Sequence, residues 1–186
     1  MSVVLLVRLK HPIALTDLER ASSGALRKLL NLESEPVVCA GFDEADDSGE
    51  ISGKVLSGSS RRVICSLEGR SEKVVVSPFT VPVQSQTGGD SLSFMDQDYV
   101  SVGWHFNRTA LCWAFVAAVA TAAAKDEGSE IEDNSGFFST ENVQRPDEFV
   151  SRIRLTTSHS DPQVAADAFY LRLPKSVEIE GWLQSK

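Results

Sequence analysis

Residues 99–136 read YVSVGWHFNRTALCWAFVAAVATAAAKDEGSEIEDNSG, and this stretch decides the fold. Tyr99 to Phe106 alternates in the manner of a strand. Asn107 is placed to cap a helix running from about Arg108 to Lys125. That helix is apolar on nearly every side, with Leu111, Cys112, Trp113, Phe115, Val116 and Val119 set among alanines. A helix without a polar face is buried, and its alanines allow close approach to a sheet. A short strand around Ile131 and the acidic turn Asp133-Asn134-Ser135-Gly136 follow.

The same order occurs earlier in the chain. Val3 to Leu9 is rich in valine and leucine without strict alternation, the pattern of a strand covered on both faces. His11-Pro12 breaks it. Thr16-Asp17-Leu18-Glu19 has the form of a capping box. Leu18, Ala21, Ala25, Leu26 and Leu29 then recur at helical spacing to about Asn31. Pro36 to Phe42 is a second strand, and Asp46-Asp47-Ser48-Gly49 is the matching turn. Two β-α-β-like halves, 1–77 and 99–186, predict an α+β or α/β fold within a single domain, 1–186. Its sheet is mixed or antiparallel and is covered by helices. The two acidic turns predict a negatively charged rim.

Arg61 to Glu68 and Lys73 to Val76 flank Gly69-Arg70, a hairpin signal. Residues 78–98 contain prolines, Gly88-Gly89 and many polar side chains, which predicts a long irregular connection. Pro146 and Asp161-Pro162 open two short helices ending near Arg154 and Leu173. Val177 to Trp182 has the pattern of a last strand.

A chain of 186 residues buries roughly 70% of its unfolded surface, enough for a core without staples. Net charge is −8, from 26 acidic and 18 basic residues. Such a field repels phosphate backbones and argues against nucleic acid as a partner. The apolar run Ala110 to Ala124 is shorter than the ~20 residues a bilayer requires, and the N-terminal run lacks the basic lead of a signal peptide. A cytoplasmic protein without membrane attachment is expected. Cys39, Cys65 and Cys112 lie in apolar runs and read as small buried hydrophobes.

His11, His105 and His159 are far apart, and none forms a metal-ligand pair. His105, beside Trp104 and just before the central helix, is either a general base working with a carboxylate or a hydrogen-bonded structural histidine. Cys112, one turn into that helix, evokes a thiol dyad with His105. It lacks a glycine turn to hold an oxyanion, and a core cysteine is the simpler reading. The acidic runs Asp43 to Glu50 and Asp126 to Asp133 do not have calcium-loop spacing. They are either a solvated surface or a surface that meets a basic protein. No phosphate-binding loop, nucleophile elbow or Cys-x-x-Cys is present. No cofactor or metal is implied.

Tyr99 to Phe106, the alanine-rich helix and Ile131-Glu132-Asp133-Asn134-Ser135-Gly136-Phe137-Phe138 are together similar in character to small acidic bacterial immunity proteins. These are encoded beside polymorphic or type VI secreted toxins. The resemblance covers about 40 residues and is one of pattern. It implies a non-catalytic inhibitor that covers the active site of a cognate, basic toxin. No site residue carries over from the resemblance; on this chain the acidic turns offer Asp43, Glu44, Asp46, Asp47, Glu130, Glu132 and Asp133 for such a contact, with Trp182 either an aromatic anchor or a packing residue. The alternatives are a small enzyme using His105, and a structural subunit that pairs through an exposed sheet edge.

Overall fold

The computed structural model describes residues 4–46, 54–86, 92–104, 109–125, 129–139 and 141–174, with backbone only at 84–86 and 92–94. Strand β1 (Leu5–Arg8), the two-residue β2 (Ile13–Ala14) and helix α1 (Leu15–Leu30) come first. They are followed by β3 (Val38–Phe42), β4 (Val55–Leu56), β5 (Val63–Leu67), β6 (Lys73–Gln86) and β7 (Leu92–Trp104). Helix α2 (Ala110–Ala123), β8 (Ile131–Glu132), β9 (Val143–Gln144), α3 (Pro146–Ile153) and α4 (Pro162–Tyr170) complete the described chain.

Seven strands form one sheet in the order β3-β5-β6-β7-β1-β8-β9, and every neighbouring pair is antiparallel. The class is α+β. Strand β2 pairs with β4 in a separate small ribbon. The repeat seen in the sequence survives as β1-α1-β3 and β7-α2-β8. In each copy the two strands run in the same direction but are not neighbours. Strand β1 lies between β7 and β8, so the two halves are interleaved.

One face of the sheet is packed under α1 and α2. Leu5 and Val7, Val63 and Cys65, Val74 and Val76, and Val100 and Val102 all have no solvent exposure, and each pair is spaced by two. Strand β1 was expected to be covered on both faces. It alternates instead, with Leu5 and Val7 buried, Leu6 half-buried and Arg8 exposed, because the described helices that pack on the sheet cover one of its faces. Helix α2 is buried along almost its whole length, packed on α1, α4 and the sheet. Its Trp113 stacks on Phe137 at 3.8 Å between ring centres, within an aromatic cluster that includes Phe138 and Tyr170.

The helix starts differ from expectation at two of the four. Thr16 does not cap α1. The N-cap is Ala14 with no side-chain bond, and the Leu15 N–H donates to the Lys54 carbonyl instead. Glu19 is thereby free to accept from the Ala40 N–H at 2.7 Å, and the Ser23 hydroxyl accepts from the Val38 N–H at 3.2 Å. Two side chains of α1 thus satisfy two outward amides of edge strand β3. The cap of α2 is Thr109, whose side chain accepts from the Cys112 N–H, and Asn107 lies outside the described residues. Pro146 and Pro162 open α3 and α4 as expected, and Asp161 caps α4 through the Gln163 and Val164 amides.

The largest departure is at 78–98. Rather than an irregular connection, β6 and β7 pair without a break from Val74↔Trp104 to Gln86↔Leu92. Strand β5 accompanies β6 only to Val76, and β1 accompanies β7 only from Tyr99. Beyond those points the hairpin continues alone as a two-stranded arm. Pro78 and Pro82, read as breakers, sit opposite Val100 and Asp96 at positions whose backbone faces away from β7, where no ladder bond is lost.

Candidate functional site

The face of the sheet opposite the helices, continued onto the arm, is the candidate site. Strand alternation brings Phe79, Val81 and Val83 of β6 to one face, cross-strand from Tyr99, Gln97 and Met95 of β7. Phe79 and Tyr99 stack with centroids 5.7 Å apart. Met95 is 65% exposed, and Phe79, Val81 and Val83 are 36–39% exposed. Apolar side chains exposed as a contiguous row on a paired, stiff backbone are the usual composition of an interaction surface. Arg8 and Lys73 are exposed on this face, and Glu132 is half-buried.

The acidic positions are distributed otherwise. Chain direction decides where they emerge: β3 and β1 run the same way, and β8 runs opposite to both. The turn after β3 therefore leaves one end of the sheet, and the turn after β8 leaves the other. Asp43 and Asp133 do not share a rim, which corrects the expectation from sequence.

Their carboxylates also have internal partners. Asp46 is buried and accepts from the Arg62 backbone N–H at 2.8 Å and from its Nε at 3.3 Å. Asp43 lies 3.3 Å from Nη2 of the same arginine. The Arg62 fork thus holds both, joining the loop after β3 to the start of β5.

Asp133 has no exposure. Its Oδ2 accepts from the Phe138 and Ser139 amides at 2.7 and 3.1 Å, and its Oδ1 accepts from the Ser135 hydroxyl. Gly136 adopts φ 61°, closing a turn that carries Phe137 and Phe138 back into the core. Asp133 organises that loop. Of the remaining positions, Glu44 and Glu130 are exposed, and Glu132 is half-buried opposite Leu6 of β1. Asp47, His105 and Trp182 lie outside the described residues.

Cys65 and Cys112 are buried as expected, and burial pushes both thiols up from 9.0 to about 12. Cys112 is therefore protonated, and its Sγ–H faces the Lys73 carbonyl at 3.8 Å, an arrangement for packing rather than nucleophilic attack. Cys39 departs from expectation. It is exposed, because its place in the β3 alternation puts it on the uncovered face. Among the described residues no group of three or more His, Cys, Asp or Glu side chains is arranged to hold a metal ion, and no helix is long and apolar enough to cross a membrane.

Phe79, Val81, Val83, Met95 and Tyr99 were not singled out from sequence. The signal was present in Phe79-Thr80-Val81-Pro82-Val83, which alternates with period two. The prolines masked it, although both fall on positions that tolerate them. Compared with family models, with curated proteins and with solved structures, the chain matches none.

Proposed function

We propose that this chain is a non-catalytic protein-binding inhibitor, acting by occlusion in the manner of the bacterial immunity proteins its sequence resembles. Its partner is then a cognate toxin domain. The observation that carries the reading is the exposed row Phe79, Tyr99, Val81, Val83 and Met95 on a sheet face that helices leave bare. A preformed apolar row loses little conformational freedom on binding, so its burial translates efficiently into affinity. Stacked aromatics serve as anchors in such surfaces. The net charge of −8, with Glu44 and Glu130 exposed, supports encounter with a basic partner at a distance.

The test is co-expression with the product of the neighbouring gene, which this reading expects to be a toxin domain. An equimolar complex by native mass spectrometry and rescue of growth are expected. Replacing Val81→Thr and Val83→Thr together should weaken the complex about tenfold or more. Reversing Glu44 and Glu130 to lysine should slow association at low salt and leave dissociation nearly unchanged. A complex indifferent to the Val81/Val83 pair would remove this face from the reading.

A further inference from the structure

We propose that the free edge of β7 beyond Asp98 is a strand acceptor, taking up an extended acidic segment of the partner protein by β-augmentation. The inference rests on the protein-binding reading and adds how one partner segment is held. The geometry begins where β1 stops. Its last registered pair with β7 is Arg8↔Tyr99, and the Leu9 N–H then donates to the Asp98 carbonyl at 2.9 Å. That bond shows that the backbone of Asp98 faces outward from the hairpin. By the period-two rule the backbone of Asp96 faces outward as well.

After Leu9 the chain turns away through Lys10, His11 and Pro12, while β7 continues. The place that a longer β1 would have filled is an open notch of about 430 Å³, lined by Arg8 to Pro12 on one side and Asp96 to Asp98 on the other. Among the described residues nothing pairs with the outward N–H and C=O of Asp96.

This edge contrasts with the other long edges of the sheet. On β3 the outward amides of Val38 and Ala40 are satisfied by Ser23 and Glu19. On the arm, the outward positions of β6 include Pro78 and Pro82, which have no N–H to offer. The Asp96 position, directly across from Pro82, has no such protection. An incoming strand would find main-chain partners there, and the apolar row on the adjacent face would receive its alternate side chains.

The charge lining the notch selects the segment. Arg8, Lys10 and His11 are exposed, and neither Arg8 nor Lys10 takes part in an ion pair among the described residues. The Asp98 carboxylate is already engaged, accepting from the Gly58 N–H at 2.9 Å and the Thr80 hydroxyl at 3.0 Å. It also fixes the base of the arm: a Cβ at Gly58 would collide with the Asp98 carboxylate, so only glycine admits this contact. Asp96 is left as the lining carboxylate opposing the cations. At physiological salt the screening length is about 8 Å, so these local charges decide preference although the whole protein is acidic.

The experiment uses two fluorescein-labelled short peptides, one alternating valine with glutamate and the other alternating valine with lysine, added to the full chain at physiological salt. Fluorescence anisotropy is expected to show the glutamate peptide binding at least about tenfold more tightly. Asp96→Pro should abolish that binding by removing the outward N–H. Asp96→Asn, which keeps the N–H and removes the opposing charge, should strengthen it. Arg8→Glu with Lys10→Glu should reverse the preference, which keeps the proposal testable if Asp96→Pro fails to fold.

Equal affinity for both peptides, or binding unaffected by Asp96→Pro in a folded variant, would overturn strand addition. If the toxin-domain complex forms and needs Val81 and Val83 while neither peptide binds, the inhibitor reading stands and this inference falls. If the peptides bind and no toxin complex forms, the reverse holds.

Discussion

Cys39 and Cys65 lie on adjacent strands of one sheet, one residue out of register, and face opposite worlds. Ala40 pairs with Cys65, so Cys39 falls on the bare face and Cys65 on the face beneath the helices. The same contrast runs across the sheet. The covered face is aliphatic and fully buried, from Val63 and Val74 to Val102 and Leu5. The bare face carries serines and glycines toward β3 and the Phe79–Tyr99 row toward the arm. What separates them is the presence of α2, which has no polar side of its own and must be enclosed. Stability therefore resides on one face, and the other is left open to contact.

Five measurements would break or sharpen this contrast. The largest difference is expected in thiol labelling of the native protein. Cys39 should react with an aromatic disulfide reagent faster than Cys65 or Cys112 by a factor on the order of a thousand, because the buried thiols wait for structural opening. The same burial gives a pH signature. Both buried thiols have folded-state values raised from 9.0 to about 12, so their contribution to stability is complete below pH 9 and is lost between pH 9 and about 12. Alkaline denaturation of a Cys65→Val variant should show a shallower decline through that window.

Next in size is Phe115→Ala on α2, expected to lower unfolding free energy by about 3–5 kcal/mol in urea titration through loss of a fully buried ring. Asp133→Ala follows, at about 2–3 kcal/mol, since the amides of Phe138 and Ser139 lose their acceptor. Were Asp133 instead a surface recognition residue, its replacement would leave stability unchanged. The smallest effect belongs to the bare face: Val81→Thr with Val83→Thr should move stability by within about 0.5 kcal/mol. A large loss there would mean that the row is packed and not presented.

The sequence made the covered side of this molecule readable and left the bare side hidden. Helix α2 announced itself through Leu111 to Ala124, because a helix apolar all round has few other places to go. Asp161-Pro162 and Gly69 also acted locally, at the α4 cap and at a turn with φ +70°. Glu19 did not. Its spacing from Thr16 satisfies the capping-box pattern, but a tertiary acceptor role at Ala40 took precedence.

The acidic turns misled for a related reason. Composition places carboxylates in loops, but whether they face water depends on the partners that the fold supplies. Arg62 and the Phe138 amide are such partners. The end of the sheet at which each turn emerges follows from strand order, which no local pattern encodes. The arm is hidden because a proline interrupts a strand or not according to which way its nitrogen points, and that is set by the pairing register.

The position of β1 has a consequence for how the molecule comes into being. Leu5 pairs with Val102, and Leu6 pairs with both Ser101 and Glu132. As the chain emerges from the ribosome, β1 has no strand to pair with until β7 has been made, and no second neighbour until β8 follows. Until then Leu5 and Val7 are exposed and must be shielded by transient collapse or by a chaperone. No fragment ending before Glu132 should acquire the native arrangement, with β1 held between β7 and β8.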